Sequence, residues 1–224
     1  MYEVELKYRV ADVPEVEAAL ERLGASWHGT TEQVDRYFNH PSRDFAVTDE
    51  ALRLRSTAVG VAITWKGPRL DATAKTRHEI ELPLALAAVP AAAEALAAVP
   101  AAAEALAAVP AAAEALAAVP AAAEALAAVP ATLDRWTGLL EVLGFRRVRE
   151  VVKRRRLATV AWEGAVIEVA LDHVAGLGDF VELELQAESA GIAVAAARIE
   201  SLARELGCTN PERRSYLEML LSNP

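Results

Sequence analysis

An α+β fold, built on about eight antiparallel strands forming a sheet or β-barrel with flanking helices, follows from three features of this 224-residue sequence. Apolar and polar residues alternate with a period of two through eight short segments, the mark of half-buried strands. Three amphipathic segments of helical period each end in Leu-Gly. Residues 86–130 contain only Ala, Leu, Val, Pro and Glu and stand apart as an insertion. Few helices among many strands favour an antiparallel architecture.

The first strand carries Glu3, Glu5, Lys7 and Arg9 on one face and Val4, Leu6, Tyr8 and Val10 on the other. Pro14 to Gly24 reads as a helix, with Pro near its start, Val16, Leu20 and Leu23 on one side, and a closing glycine. Strands are expected at 34–38, 51–57, 60–66 and 74–82. The insertion then repeats the decapeptide Ala-Ala-Ala-Glu-Ala-Leu-Ala-Ala-Val-Pro without change through 91–130, after a half unit at 86–90. Each proline removes a backbone donor and disfavours helix at the valine before it. In a straight helix, ten residues at about 100° each would turn the Leu/Val stripe by roughly −80° per unit, so no constant apolar face forms. A tolerated surface insertion is favoured over a spacer or partner-binding arm. Thr132 to Gly144 forms the second helix, with Leu133, Trp136, Leu140 and Leu143. Strands follow at 150–160, 165–173 and 180–187. A third helix runs from about Ile192 to Gly207, carrying Ile199, Leu202 and Leu206. A single domain spanning 1–224, interrupted at 86–130, is the expected organisation.

Composition excludes several function classes. The net charge is −9, four units of which come from repeat glutamates, and the 54% hydrophobic content is inflated by the same stretch. No window offers the roughly 18–20 uninterrupted apolar residues of a membrane span. The N-terminus is charged from Glu3, unlike a secretory signal. The single cysteine, Cys208, can make neither an internal disulfide nor a thiolate metal site. A cytoplasmic protein that binds neither membrane nor nucleic acid is expected. His28, His40, His78 and His173 follow no zinc spacing, and phosphate-binding glycine loops and serine nucleophile elbows are missing.

The polar strand faces carry the functional signal. Glu3, Glu5 and Lys7 alternate on the first strand, Arg53 and Arg55 on the third, and Lys66 closes the fourth. Arg77, Glu79 and Glu81 alternate on the fifth, followed by Lys153 and Arg155, by Glu168 and Asp172, and by Glu182 and Glu184. On any one strand such a face is ordinarily solvated. Carboxylate pairs and basic pairs in separate blocks, recurring strand after strand, point elsewhere. Helices covering the apolar faces from outside would turn the charges inward around a wet lumen. Carboxylates there suit Mg²⁺ or Mn²⁺, clustered Lys and Arg suit phosphate oxygens, and a metal-bound polyphosphate satisfies both.

Glu3-Val4-Glu5-Leu6-Lys7 is similar to the Glu-x-Glu-x-Lys signature of the CYTH superfamily, the triphosphate tunnel metalloenzymes. Further pieces match in order: Asp35-Arg36-Tyr37-Phe38, Leu52-Arg53-Leu54-Arg55, Thr64-Trp65-Lys66-Gly67-Pro68, Arg77-His78-Glu79-Ile80-Glu81, Leu143-Gly144-Phe145, Lys153-Arg154-Arg155, Leu171-Asp172, Glu182-Leu183-Glu184 and Ser215-Tyr216. The set spans the chain outside the insertion and most resembles the class IV adenylyl cyclase-like members.

The resemblance implies an eight-stranded antiparallel barrel forming a tunnel. It implies that Lys7, Arg53, Arg55, Lys66, Arg77, Lys153 and Arg155 bind a triphosphate. Glu3, Glu5, Glu79, Glu81, Asp172, Glu182 and Glu184 would hold Mg²⁺ or Mn²⁺, and catalytic roles fall on Glu5, Lys7, Arg55 and Lys66. Arg9, Arg154, Arg156 and Glu168 face either the lumen or solvent. Asp35, Tyr37, Trp65, Trp162, Ser215 and Tyr216 read as structural first. The implied activity is conversion of ATP to cyclic AMP and pyrophosphate, with hydrolysis of inorganic or thiamine triphosphate as the alternative. The His-Phe pair that often precedes the signature in cyclase-active members has no counterpart in Met1-Tyr2. A noncatalytic polyphosphate- or nucleotide-binding module is the rival from another class, against which the retained carboxylate pairs argue. A homodimer is the expected assembly.

Overall fold

The structure, a computed structural model, describes residues 2–69, 77–86 and 132–222. Its strands are β1 (Tyr2–Arg9), β2 (Ser26–Asn39), β3 (Ala51–Thr57), β4 (Gly60–Arg69), β5 (Arg77–Leu86), β6 (Arg146–Trp162), β7 (Ala165–Val174) and β8 (Gly178–Ala187). Its helices are α1 (Val13–Arg22), α2 (Phe45–Thr48), α3 (132–142), α4 (Ile192–Glu205) and α5 (Tyr216–Ser222). The decapeptide repeat lies outside the described residues, as does the 74–76 start of the expected fifth strand.

All eight strands join one sheet in the order β1-β8-β7-β6-β2-β3-β4-β5, and every pairing is antiparallel. The sheet is curled rather than closed by backbone pairing, because no ladder joins β1 to β5 among the described residues. The Lys66 ammonium bridges that seam, 2.7 Å from Glu79 on β5 and 4.0 Å from Glu3 on β1.

Strand alternation located β3 at its observed ends but truncated β2 and β6, which run 14 and 17 residues. Their outer parts, such as Thr30–Thr31–Glu32 and Arg146–Arg147, are polar on both faces and carry no period-two signal. Both strands also hold register shifts, between Trp27 and Gly29 and between Arg36 and Phe38, which interrupt alternation.

The three expected helices lie where the apolar strand faces need cover. Val16, Ala19 and Leu20 of α1 and Ile199, Leu202 and Ala203 of α4 pack on Val4, Leu6, Val169, Val181 and Leu183. Leu133 and Leu140 of α3 pack on Leu52, Leu54 and Val61. The glycine after each helix takes positive φ, as at Gly24 (72°), where Ala25 N donates to Leu20 O and closes the helix end. Burying these faces outside forces the alternate residues inward.

Two elements escape the sequence reading. Helix α2 is a single turn capped by Asp44, whose side chain accepts from Ala46 N. Helix α5 is short and opens on a capping box: Ser215 Oγ accepts from Glu218 N, and Glu218 Oε2 accepts from Ser215 N. Met219 and Leu220 of α5 pack against Val151, Val174, Leu177 and Phe180 at one end of the curled sheet. No helix among the described residues is long and apolar enough to cross a membrane.

Candidate active site

The inner face of the sheet surrounds a cavity of about 1010 Å³. It is lined by Glu3, Glu5 and Lys7 of β1, Glu182 and Glu184 of β8, Lys153 and Arg155 of β6, Arg53 and Arg55 of β3, Lys66 of β4, and Arg77, Glu79 and Glu81 of β5. Glu168 also lines it, which places this carboxylate on the lumen side. Arg9, Arg154 and Arg156 point away: Arg9 donates to Leu177 O, Arg154 is exposed, and Arg156 pairs with Glu17 and stacks on Trp27.

Strand register sorts these charges. Glu5 sits opposite Glu184, and Glu184 opposite Glu168, so a row of carboxylates crosses three strands. Glu3, Glu5 and Glu184 bring carboxylate oxygens within 4.8 Å of one another. Burial, with the charges of Glu3, Glu5 and Glu182 added to it, pushes Glu184 up to about 8. Glu3 is raised as well, by burial and by Glu79 and Glu5, against the pull of Lys66. Burial and crowding thus disfavour the ionised forms of Glu184 and Glu3, which a bound cation would favour.

The basic residues are organised differently, around two buried aspartates. Asp35 receives Arg55 through two hydrogen bonds of 2.7 and 2.8 Å, with Arg53 3.4 Å away. Burial would raise the Asp35 carboxyl, but Arg53 and Arg55 together hold it well below the usual carboxylate range. Asp172 receives Arg155 through bonds of 2.7 and 2.6 Å, Lys153 at 3.2 Å and the Tyr216 hydroxyl at 2.9 Å. Burial and the neighbouring Arg155 charge push Lys153 down to about 8, against Glu182 and Asp172.

The expectation that Asp172 joins the metal-binding carboxylates meets a physical obstacle. Its oxygens are engaged by Arg155, Lys153 and Tyr216, and its side chain has no solvent exposure. Glu182 faces the cavity but pairs with Arg155 and lies 3.7 Å from Lys7. Glu79 pairs with Lys66, and Glu81 accepts from the Thr64 hydroxyl at 2.8 Å. Among the described residues, only Glu3, Glu5 and Glu184 gather as a candidate cation site.

Sequence reasoning missed the clamp made by Asp35, because one carboxylate on a β-strand looks the same whether it salts a surface or anchors two arginines. The periodicity did hold a signal, since Asp35 shares its face with Tyr37 and sits opposite Arg55. Trp65 and Trp162 are structural as expected: Trp65 donates to Glu50 at 3.1 Å and packs beside Leu52, and Trp162 packs on the α1/α4 core.

This geometry coincides with a family match: the CYTH domain covers residues 1–216. The chain belongs to the CYTH family. Members of this family process triphosphates, as cyclases or as triphosphatases, and use divalent metal ions. The chain is 30% identical over 184 residues to a Methanocaldococcus jannaschii protein provisionally named an adenylate cyclase, covering 82% of this chain and 77% of that one. The structure of the PH1819 protein from Pyrococcus horikoshii superposes over the full length of both chains, with 32% identity and a TM-score of 0.72. A Hippeastrum protein, described as an adenylyl cyclase candidate with dominant triphosphatase activity, shares the fold at 17% identity and a TM-score of 0.54, covering 99% of this chain and 96% of that one.

Proposed function

We propose that this CYTH protein is a metal-dependent enzyme of class IV adenylyl cyclase type, converting ATP to cyclic AMP and pyrophosphate in the charged cavity. The observation that carries the reading is the sorting of charge within one lumen: a crowded Glu3/Glu5/Glu184 corner beside arginines and lysines anchored by Asp35 and Asp172. The cyclase name of the M. jannaschii relative supports this chemistry over others open to the family.

The donor set suits a hard divalent cation, since the three carboxylates offer only oxygen ligands and are crowded without one. Glu3, Glu5 and Glu184 would hold Mg²⁺ or Mn²⁺, which supplies charge neutralisation at phosphate oxygens. Lys7, Arg53, Arg55, Lys66, Arg77, Lys153 and Arg155 bind and orient the triphosphate. The paired hydrogen bonds that Arg55 and Arg155 donate to Asp35 and Asp172 fix their guanidinium planes before substrate arrives, so little reorganisation is needed. Positioning and charge stabilisation of this kind is what phosphoryl-transfer sites mainly provide. The ribose 3′-hydroxyl then loses its proton to solvent as its oxygen bonds to the α-phosphorus and the bond to the departing pyrophosphate oxygen breaks.

Hydrolysis of inorganic or thiamine triphosphate is the second reading. The same sorted lumen can align water on a terminal phosphorus, and the triphosphatase activity described for the Hippeastrum protein keeps it in view. Incubating the purified protein with Mn²⁺ or Mg²⁺ and each of ATP, inorganic triphosphate and thiamine triphosphate, followed by chromatography, separates the readings. Cyclic AMP is the expected product. Orthophosphate from one substrate selects hydrolysis, and no metal-dependent turnover of any of them overturns the enzyme reading. The 86–130 insertion is proposed to interrupt a single domain without contributing to its site.

A further inference from the structure

We infer that Tyr216, on the last helix, is a positioning residue for the phosphate-binding side of the cavity, holding Lys7, Lys153 and the Asp172–Arg155 clamp in place. This inference rests on the proposed triphosphate function and extends it to a residue that touches no reacting atom.

Three contacts converge on this one side chain. The Lys7 ammonium lies 4.0 Å and the Lys153 ammonium 5.2 Å from the ring centroid. The hydroxyl donates to Asp172 Oδ2 at 2.9 Å, the oxygen that also accepts from Lys153 and Arg155. An aromatic face attracts ammonium groups most strongly when water is excluded, and Lys7 is only 1% exposed. The ring thus flanks both ammoniums while Lys153 donates to Asp172 and Lys7 lies 3.7 Å from Glu182, and the hydroxyl fixes the carboxylate that sets the Arg155 plane. Tyr216 is held raised well above its ordinary value by burial and by the charges of Glu182 and Asp172, so it remains a neutral donor.

The segment does not need this ring merely to stay attached. Glu212 N donates to Lys7 O at 2.7 Å, Pro211 bridges to Tyr8, the Ser215/Glu218 box caps α5, and Met219 and Leu220 anchor it in the apolar cluster. The contacts of Tyr216 with the lysines therefore call for a role beyond packing.

Calorimetric titration of the full chain with inorganic tripolyphosphate in metal-free buffer, and separately with Mn²⁺ alone, tests the inference. Tyr216→Leu is expected to weaken tripolyphosphate binding about thirtyfold and Tyr216→Phe, which keeps the ring, about threefold. Mn²⁺ affinity, which reports the Glu3/Glu5/Glu184 corner, is expected to stay within about twofold in both. Unchanged tripolyphosphate affinity in Tyr216→Leu overturns the inference alone, as does an equal loss of tripolyphosphate and Mn²⁺ affinity. If Tyr216→Leu does not fold, Tyr216→Phe decides, and wild-type affinity in that variant overturns the inference. Failure of the wild-type protein to bind tripolyphosphate overturns the proposed function, and this inference with it.

Discussion

The two walls of the cavity solve the problem of buried charge in opposite ways. On the β7/β6/β2/β3 side, each buried aspartate sits among its cations: Asp35 with Arg53 and Arg55, Asp172 with Lys153 and Arg155. That wall pairs each aspartate with two basic groups before any ligand arrives, which fixes the basic side chains and leaves a surplus of positive charge suited to an anion. At the β1/β8 corner, Glu3, Glu5 and Glu184 crowd together, and Glu184 is pushed up to about 8 by burial and the surrounding carboxylates. The corner carries crowded carboxylates, partly offset by Lys66 4.0 Å from Glu3, and a bound cation would relieve that crowding further. The difference teaches how one lumen divides its charge: on one wall ion pairs fix the basic groups in place, and at the other corner carboxylates crowd together where a cation would be most favoured.

The largest expected effects break the unbalanced corner and its phosphate-facing counterpart. Glu5→Gln and Arg55→Ala should each lower metal-dependent turnover by about 100-fold or more, with circular dichroism unchanged for Glu5→Gln. Near-normal rates in both would refute the site. Removing a clamp should act on stability first. Asp35→Asn leaves Arg53 and Arg55 without their buried partner and is expected to cost about 3–5 kcal/mol in urea unfolding.

Acid titration sharpens the same contrast. The Asp35 carboxyl is held below its ordinary value of 3.8 by Arg53 and Arg55, against the effect of burial. Its contribution to stability is therefore complete above that unfolded value and is lost as pH falls below it toward the folded one. Wild-type stability should drop more steeply through this acid range than that of Asp35→Asn, as read from thermal melts at stepped pH; parallel curves would show that the clamp is not what the acid breaks. At the acidic corner the sign reverses. Glu184→Gln is expected to stabilise the metal-free protein by about 1 kcal/mol at neutral pH and above, while weakening Mn²⁺ binding, because it removes like-charge crowding. The smallest effect is expected from deleting 91–130, which removes four glutamates and none of the site residues named above; turnover and melting temperature should match the intact chain.

Much of the sheet was legible because alternation survives wherever one face is buried. Residues 51–57 form β3 as read, and β1, β7 and β8 lie within two residues of expectation at each end. Strands β2 and β6 outrun their periodic cores because their ends pair through backbone hydrogen bonds that impose no side-chain pattern. The short helices α2 and α5 contain too few turns to build a periodic signal. The inward charges were legible as a set, since alternation puts them opposite the apolar face. Their division of labour was not. Asp172 and Glu184 sit on similar alternating strands, yet one is the anchor of Arg155 and the other belongs to the carboxylate cluster.

By itself, the sequence determined which residues share a face, because a period of two is a property of the extended backbone and needs no neighbour. It determined the strand-rich class, the three covering helices and the concentration of charge on the faces opposite the core. Only the tertiary structure decided which charges meet. Register set Glu5 against Glu184, curling brought Lys66 to Glu3 across the open seam, and the final helix carried Tyr216 beneath Lys7. Contacts between residues far apart in sequence depend on pairing and curvature, which local pattern does not encode, and those contacts separate a structural carboxylate from one left to bind a ligand.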